Sequence, residues 1–313
     1  MNFRCTFANI GQDILKTMKL LHSKLANFLL LLTALSASMV AEDSKFEQLR
    51  RQSENGDPAT QYLLGCAYMR AEGTPQDYGK AAEIMRKAAD QGHAKAQTNL
   101  GFLYVNGLGV EKNPEEGVKW YRKAAEQGEL QAQRNLAQLF DRGVGVSKDR
   151  KETLHWYRKA AEQGNLQSQY QLGLLLFLGD DKHLDIDFKE AAKWMQKAGD
   201  RGMPEAWNAL GLMYEDGFGV TKNLTTAFDY FQKAALHGEV KAQANVGRCF
   251  ALGIGTGRDV VQAYKWLKLG DSRNELTATK VLVGVMRSMT PEQITSGDKL
   301  VAEFKPLTAR LQE

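Results

Sequence analysis

The residues that come nearest to a catalytic motif are Ser296-Gly297-Asp298-Lys299. A serine three residues before a lysine is found in acyl-transfer enzymes, in which the serine hydroxyl attacks a carbonyl carbon. Those enzymes also use S-D-N and K-T-G segments, and this sequence contains neither. Because the four residues fall within a helix pattern that begins at Thr290, we interpret them as a solvated helix face and predict no catalytic residues.

The glycine-rich segments also fail the test for a phosphate-binding loop. Gly73 to Lys80 ends in Gly-Lys, but it has one residue too many for a Walker loop and lacks the following Ser or Thr. The pair Gly107 and Gly109 is not followed by a third glycine and does not come after a strand pattern. We therefore predict no cofactor and interpret these glycines as turns between helices.

Residues 180–187 hold four carboxylates and one imidazole, the densest group of metal-ligating side chains in the chain. Such oxygen ligands could collect a hard cation such as Ca²⁺. The spacing of a calcium loop, with its glycine and distal Glu, is missing. The favoured interpretation is an exposed acidic loop in which Asp185 or Asp187 caps the next helix, with cation binding as the alternative.

The net charge of the chain argues against a nucleic-acid partner. The 313-residue chain is 43% hydrophobic and 25% charged, so it can bury a core and is not intrinsically disordered. Its formal net charge is +4, and residues 1–41 hold most of that excess. The rest is nearly neutral, whereas nucleic-acid binding depends on clustered Lys and Arg, so we expect no nucleic-acid partner.

The N-terminal residues 1–41 have the order of a secretory signal peptide. A basic stretch precedes an apolar run from Leu25 to Leu35, and small residues follow before the polar Glu42. The run is shorter than the ~18 apolar residues of a confident membrane span. We expect export to the periplasm or medium, with a start at Met18 and no stable span in the mature chain. An uncleaved membrane anchor is the alternative.

A Leu-Gly type of pair recurs along the chain at nearly constant intervals. The pairs begin at Leu64, Leu100, Leu136, Leu172, Leu210 and Val246. The steps between them are 36, 36, 36, 38 and 36 residues. A column of large residues keeps the same spacing: Ile84, Trp120, Trp156, Trp194, Tyr230 and Trp266. Six phased units predict one continuous repeat stack over residues 57–270.

Each unit holds two helix patterns joined by a glycine turn. In the second unit, Gly107 ends the first helix, Asn113 caps the second, and Gly128 ends it. The glycine within each first helix costs about 1 kcal/mol relative to alanine, so it needs a packing reason. We expect it to let the neighbouring helix approach, with the large column, such as Trp120, filling the space beside it.

The two ends of the array carry atypical helix patterns, as repeat stacks require. Residues 42–56 predict a lone N-terminal capping helix. Residues 271–313 predict two C-terminal capping helices, one over Leu276 to Met289 and one from Thr290 to about Phe304. The expected fold is all-α: a right-handed superhelical α-solenoid of about six two-helix repeats with a cap at each end.

These motifs resemble the Sel-1-like repeat family, a relative of the tetratricopeptide repeats. The pattern A-Q-x-x-L-G-x-x-Y-x-x-G-x-G-V runs from Ala96 to Val110, and W-Y-x-K-A-A-x-Q-G runs from Trp120 to Gly128. Three units depart from it: Ala137 replaces the helix glycine, Gly73-Thr74-Pro75 replaces the first G-x-G, and Asp181 replaces a turn glycine. We expect these changes to affect local packing more than the fold.

The resemblance implies a protein-binding adaptor or scaffold that is not an enzyme. A cysteine-rich branch of the family is associated with penicillin binding and β-lactamase activity, but its paired cysteines are missing here. Cys66 and Cys249 lie five units apart, beyond the ~7 Å between Cα atoms that a disulfide allows, so we predict both to be free. His93, His155 and His237 fall in different units and are not expected to converge.

In tetratricopeptide arrays the first helix of each unit lines the concave face, and the resemblance implies the same here. The candidate partner-binding residues at those positions are Tyr62, Phe102, Arg134, Gln138, Tyr170, Leu174, Phe177, Asn208, Leu212 and Arg248. Tyr170, Leu174 and Phe177 would form an apolar cluster near Arg134, and aromatic and Arg side chains are common anchors of binding energy. The alternative is that Phe177 and Leu178 pack against the lengthened loop.

Our leading hypothesis is an exported, non-enzymatic scaffold that binds a protein or peptide on its concave face. The alternative from a different class is a periplasmic β-lactamase-like or peptidoglycan-fragment-binding protein. A third, a cytoplasmic regulator, requires that residues 18–41 do not direct export.

Overall fold

The computed structural model describes residues 45–179, 186–271 and 276–307. Every regular element in those ranges is an α-helix. The chain divides into two compact units, with the boundary between Glu129 and Leu130. The predicted signal peptide and acidic residues 180–185 lie outside the described ranges. No helix within those ranges has the length and apolar character needed to span a membrane.

The first unit holds five helices among its described residues. They are α1 (45–53), α2 (Pro58–Arg70), α3 (Tyr78–Asp90), α4 (Ala94–Asn106) and α5 (Pro114–Glu126). From α2 to α5, each helix packs on the next one along the chain. Phe46 of α1 covers the start of the stack, because its ring meets the Tyr68 ring edge-on with 5.4 Å between centroids.

The second unit holds ten helices among its described residues. They are α6 (Leu130–Arg142), α7 (Arg150–Glu162), α8 (Leu166–Leu178), α9 (Phe188–Asp200), α10 (Pro204–Asp216), α11 (Leu224–Leu236), α12 (Val240–Leu252), α13 (Val260–Asp271), α14 (Leu276–Met286) and α15 (Pro291–Glu303). From α6 to α14 each helix packs on the next, and α15 packs on α13.

Polar caps start the helices where the sequence predicts them. Asn113 accepts a hydrogen bond from the Glu116 backbone N–H at 2.9 Å, which satisfies one of the free donors at the start of α5. Thr290 and Gln293 form a reciprocal capping box at α15. Asp187 accepts from the Glu190 backbone N–H at 2.8 Å, so the prediction that it caps the next helix is confirmed.

The first-helix glycine, which every repeat but the third contains, faces a large side chain, but it is not the one we predicted. A Cβ built on Gly211 would lie 2.5 Å from Cδ1 of Phe231, and one on Gly101 would lie 3.1 Å from Cδ1 of Tyr121. These partners follow the predicted column by one residue, so the assignment of the Trp120 column was wrong. A step of one residue turns a helix by about 100°, which selects a different face.

The second glycine of each turn lies against the preceding repeat. A Cβ on Gly219 would come within 2.0 Å of the Phe188 carbonyl oxygen, and one on Gly255 within 2.0 Å of the Leu224 carbonyl oxygen. These turns therefore need a residue without a side chain at this position.

The turn of the first repeat begins two residues earlier than we predicted from its G-x-G motif. Ala71 ends α2 in the left-handed conformation, with φ 59°, and Gly73 follows with φ 68°. Ala71-Glu72-Gly73 is thus the counterpart of Gly107-Leu108-Gly109, so the proposed Gly73-Thr74-Pro75 was in the wrong register. Alanine tolerates this conformation less well than glycine, so the turn is strained at Ala71.

Candidate functional site

We use the term first-helix surface for the side of the first helices that carries the candidate binding residues. In the first unit these are Tyr62 on α2 and Phe102 on α4. The Tyr62 ring stacks on His93, with 4.8 Å between centroids, and His93 in turn caps α4. Burial, with help from a hydrogen bond to Cys66, raises the pKa of Tyr62 to about 12. Phe102 is 40% exposed, so it remains accessible while Tyr62 serves mainly in packing.

A stripe on α8 dominates the first-helix surface of the second unit. Tyr170, Leu174 and Leu178 follow one another at intervals of four residues and therefore share one face of the helix. Tyr170 and Leu174 are half-buried, and Leu178 is 63% exposed. Burial raises the pKa of Tyr170, and the Glu205 and Glu239 carboxylates add to the shift. No described residue hydrogen-bonds to the Tyr170 hydroxyl.

Phe177 points into a cluster of aromatic rings instead of standing free. Its ring lies 5.4 Å from the Phe188 ring and 5.7 Å from the Phe218 ring, centroid to centroid. Phe188 and Phe218 stack on each other at 4.8 Å. Phe177 thus packs on Phe188 of its own repeat and on Phe218 of the next repeat, and Leu178, one residue later, stays exposed.

Arg134 and Gln138 lie on α6, both half-buried. Gln138 hydrogen-bonds to Tyr157, whose pKa burial raises to about 12. The Nε atom of Arg134 is buried and has no hydrogen-bond partner among the described residues. The Arg134 Nε–H is therefore a donor without an acceptor in the described structure, whereas the Gln138 side chain already bonds to Tyr157.

The remaining candidates, on α10 and α12, are linked to one another. Arg248 makes a bidentate ion pair with Glu215, with N–O distances of 2.8 and 2.7 Å. Side-chain exposures of 21% and 16% mean that the pair is only partly screened by water. Asn208 accepts a hydrogen bond from Asn245 at 2.9 Å, and Leu212 is half-buried against the neighbouring core. The positive charge of Arg248 is therefore largely neutralised.

The S-x-x-K segment lies on α15 as the helix pattern predicts. Ser296 and Lys299 are exposed, and Gly297 is buried against the Tyr264 ring. Asp298 accepts a hydrogen bond from the Tyr264 hydroxyl at 2.9 Å and pairs with Lys268, which lowers the pKa of the Asp298 carboxyl. These contacts attach the C-terminal cap to the last repeat.

Cysteine and metal chemistry give no further site within the described residues. Cys66 and Cys249 are free and buried, as predicted, and burial raises the pKa of the Cys249 thiol to about 11. A thiol with a raised pKa is a poor nucleophile at neutral pH. No group of three or more His, Cys, Asp or Glu side chains could hold a metal ion in the described ranges.

The helix pairs and their repeated packing define a helical repeat protein. The Sel1 repeat model matches residues 58–93, 94–129, 130–165, 166–203, 204–239 and 240–270. The chain therefore belongs to the Sel1 repeat family, as the sequence resemblance indicated. Members of this family are, in general, scaffolds for interactions between proteins.

Two solved structures support the assignment of the fold. A protective antigen of uropathogenic Escherichia coli strains that displays an SLR fold is 32% identical, with a TM-score of 0.70. The match covers 84% of this chain and 56% of that one. A Sel1 repeat protein from Oxalobacter formigenes is 33% identical over 77% of this chain and 96% of that one, with a TM-score of 0.62. The predicted all-α solenoid class is confirmed.

This chain thus spans little more than half of the antigen's length. The comparison with curated proteins produced no match. Fold and family therefore rest on the repeat model and the solved structures.

Sequence reasoning missed two structural features of the second unit. Glu215 and Arg248 carry opposite charges at first-helix positions of adjacent repeats, and that signal could have predicted their ion pair. The other feature is the register of α14: Leu282 follows Val246 by 36 residues, so the repeat interval continues into the C-terminal cap.

Proposed function

We propose that this protein is an exported, non-enzymatic scaffold that binds an extended protein segment on the first-helix surface of its second unit. The observation that carries the proposal is the stripe of Tyr170, Leu174 and Leu178 along α8. It joins a half-buried aromatic ring, an unpartnered hydroxyl and an exposed leucine on one helix face.

Such a stripe suits the recognition of a polypeptide. A tyrosine offers a large apolar ring and a polar tip at low entropic cost, and the adjacent leucines offer apolar area. Alanine replacement of a central anchor of this kind costs about 2 kcal/mol or more of binding free energy. The neutralised Arg248–Glu215 pair beside the stripe disfavours a partner recognised through charge alone.

A comparison of variants tests the binding surface. Three forms of the protein serve as affinity baits: the wild type, the double variant Tyr170→Ala/Leu174→Ala and the control Leu224→Ala. The control truncates a 39% exposed leucine on α11. We expect the double variant alone to lose a prey that the other two retain, with the helical circular dichroism of all three unchanged. Equal recovery by all three baits would contradict the proposal.

Export rests on the sequence of residues 1–41 and is tested separately. Fusion of these residues to a phosphatase that is active only outside the cytosol should give activity, and a fusion that begins at Glu42 should give none. Absence of activity from both fusions would favour a cytoplasmic regulator.

The enzymatic alternative is tested by nitrocefin hydrolysis. Ser296 is exposed on α15, and its neighbours Gly297 and Asp298 are engaged in packing with Tyr264. We expect no turnover, and turnover that Ser296→Ala abolishes would support a β-lactamase-like activity instead.

A further inference from the structure

The side chain that caps a first helix differs in chemistry from repeat to repeat. Asp57 caps α2, His93 caps α4, Asn165 caps α8 and Glu239 caps α12. In each case a side-chain atom accepts a hydrogen bond from the backbone N–H three residues later, one of the donors that a helix start leaves free. Among these four caps, His93 is the one that gains a proton close to neutral pH.

Protonation affects an imidazole cap differently from a carboxylate cap. Nδ1 of His93 accepts from the Ala96 backbone N–H at 3.2 Å, so the neutral ring carries its hydrogen on Nε2. A protonated imidazole has a hydrogen on both nitrogens and no acceptor left, whereas a protonated carboxyl, as at Asp57, keeps a carbonyl oxygen that can accept. The added positive charge also lies at the positive end of the α4 dipole, which disfavours it.

The groups that act on His93 come from the start of α2 and from α4 itself. Tyr62 of α2 stacks on the imidazole, with 4.8 Å between centroids and 26° between ring planes. Burial, with help from the Lys95 ammonium, lowers the pKa of His93, and the Asp57 carboxylate opposes this shift. Tyr62 stays neutral in the same pH range, because its own pKa is raised to about 12. The folded chain therefore favours the neutral ring that can cap the helix.

His93 also supports the wall of a cavity in the first unit. The cavity has a volume of about 430 Å³, and its lining includes Tyr62, Leu63 and Cys66 of α2 and Leu49 of α1. Leu63 is 53% exposed at its edge. Because the Tyr62 ring rests on the imidazole, a change at His93 is transmitted directly to this part of the first-helix surface.

We propose that His93 is an acid-sensitive joint between the first and second repeats, whose protonation removes the cap of α4 and opens the first turn of that helix. The neutral ring contributes stability above the histidine pKa of the unfolded state, about 6.5, and this contribution is lost as the pH falls to the lower pKa of the folded state. The inference does not depend on the proposed function and adds a pH-dependent conformational change to the first unit.

Hydrogen–deuterium exchange of the full chain tests the joint. The four forms are the wild type, His93→Asn, His93→Asp and the control His155→Asn, which removes an exposed histidine. The two His93 variants keep a cap acceptor, of the kinds that Asn165 and Asp57 supply to α8 and α2. Exchange rates of residues 95–100 are compared between forms at one pH, so the intrinsic pH dependence of exchange cancels.

We expect the ratio of the wild-type rate to the rate of either His93 variant to rise about fivefold between pH 7.5 and pH 5.0. A change of this size corresponds to the loss of one N-cap. Any constant loss of stability in the variants cancels, because it enters the ratio at both pH values. The control should follow the wild type throughout. An unchanged ratio would overturn the inference, and so would an equal rise at residues 166–172 of α8, which would indicate global unfolding.

A histidine titration gives a second, independent measurement. The full chain is labelled with ¹³C-histidine, and the His93 ring signal is identified by its absence from His93→Asn. We expect its midpoint to lie below about 6.5, and Tyr62→Ala, which uncovers the ring, to raise it towards that value. A wild-type midpoint at or above about 6.5 would overturn the inference, because the folded state would then favour the protonated ring.

Discussion

The third and fifth repeats fill the space between the start of the first helix and the end of the second helix with different side chains. In the third repeat, Gln163 donates a hydrogen bond from its amide to the buried Gln133 at 2.8 Å. In the fifth, Trp207 and His237 take these two places, with their rings 4.9 Å apart. Both first-helix residues are almost fully buried, at 3% for Gln133 and 4% for Trp207. A hydrogen-bonded amide pair and an aromatic pair therefore fill equivalent space.

The larger ring is accommodated by a second change nearby. Trp207 packs against Gly199, where a Cβ would lie only 2.8 Å from Cδ1 of the indole. Equivalent second helices have alanine at this position, such as Ala161, whose carbonyl accepts a hydrogen bond from Gln169 at 3.2 Å. Residues at this junction therefore change as a set, because the volume and the polar groups have to be balanced together.

The largest expected loss of stability comes from replacing Trp207 while Gly199 and His237 remain. Trp207→Gln should destabilise the second unit by about 3 kcal/mol, since it opens a cavity and introduces an amide without the partners of the third repeat. Adding Gly199→Ala should recover at least about 1 kcal/mol through coupling between touching residues. Urea unfolding of the two single variants and the double variant measures this term, and additive free energies would show that the two positions are independent.

The amide pair should be the next most sensitive. Gln163→Met removes the donor for the buried amide oxygen of Gln133, so we expect a loss of about 1–3 kcal/mol. Gln133→Met keeps the size of the side chain and should cost less, because the bond that the exposed Gln163 amide loses can be replaced by water. The same unfolding experiment ranks the two variants, and a reversed ranking would contradict the role given to the buried amide.

A smaller, stabilising change in the free energy of unfolding is expected at Ser168, in the first turn of α8. Ser168 is fully buried, and its hydroxyl has no hydrogen-bond partner among the described residues. Ala242 occupies the same position after the fifth loop. Ser168→Ala should therefore stabilise the protein by about 1 kcal/mol, and Ala242→Ser should destabilise it by a similar amount. Thermal unfolding tests both signs, and a destabilised Ser168→Ala would indicate a partner for the hydroxyl.

The smallest effect concerns the helix caps of the two loops. Asn165 caps α8, whereas Glu239 caps α12 by accepting from the Ala242 backbone N–H. Burial raises the pKa of the Glu239 carboxyl, so the folded state binds its proton more tightly than the unfolded state does. The protonated Glu239 carboxyl therefore contributes stability below its pKa in the unfolded state, and this contribution is lost as the pH rises through its pKa in the folded state.

Glu239→Gln keeps an acceptor at the cap and removes the ionisation. We expect the variant to gain stability relative to the wild type as the pH rises from 4 to 8, with Asn165→Ala as a control whose cost does not vary in this range. Parallel pH profiles for the wild type and Glu239→Gln would show that Glu239 does not titrate differently on folding.

Much of the fold was predictable because the repeat interval and the helix caps are local signals. The phased Leu-Gly pairs indicated the number of repeats, and residues such as Asn113 and Thr290 indicated where helices begin. The free state of Cys66 and Cys249 followed from their separation along the array. Each of these inferences requires only that a helix has 3.6 residues per turn and that its first N–H groups need acceptors.

The candidate binding residues were harder to judge. Nothing in the sequence around Phe177 shows that its ring meets Phe188 and Phe218, which come from the following helix and the next turn. Likewise, Tyr62 and Phe102 stand at first-helix positions, yet one stacks on His93 and the other is exposed. Such outcomes depend on how far each helix rotates about its axis against its neighbours.

The sequence by itself determined the periodic helix pairs, their caps and the family to which they belong. Tertiary packing decided that Tyr121 and Phe231, one residue beyond the predicted column, face the helix glycines and that Arg248 is neutralised by Glu215. The physical reason is that neighbouring residues on a helix differ by about 100° in direction. Spacing can therefore place a residue on a helix, but only the contact between helices selects its partner.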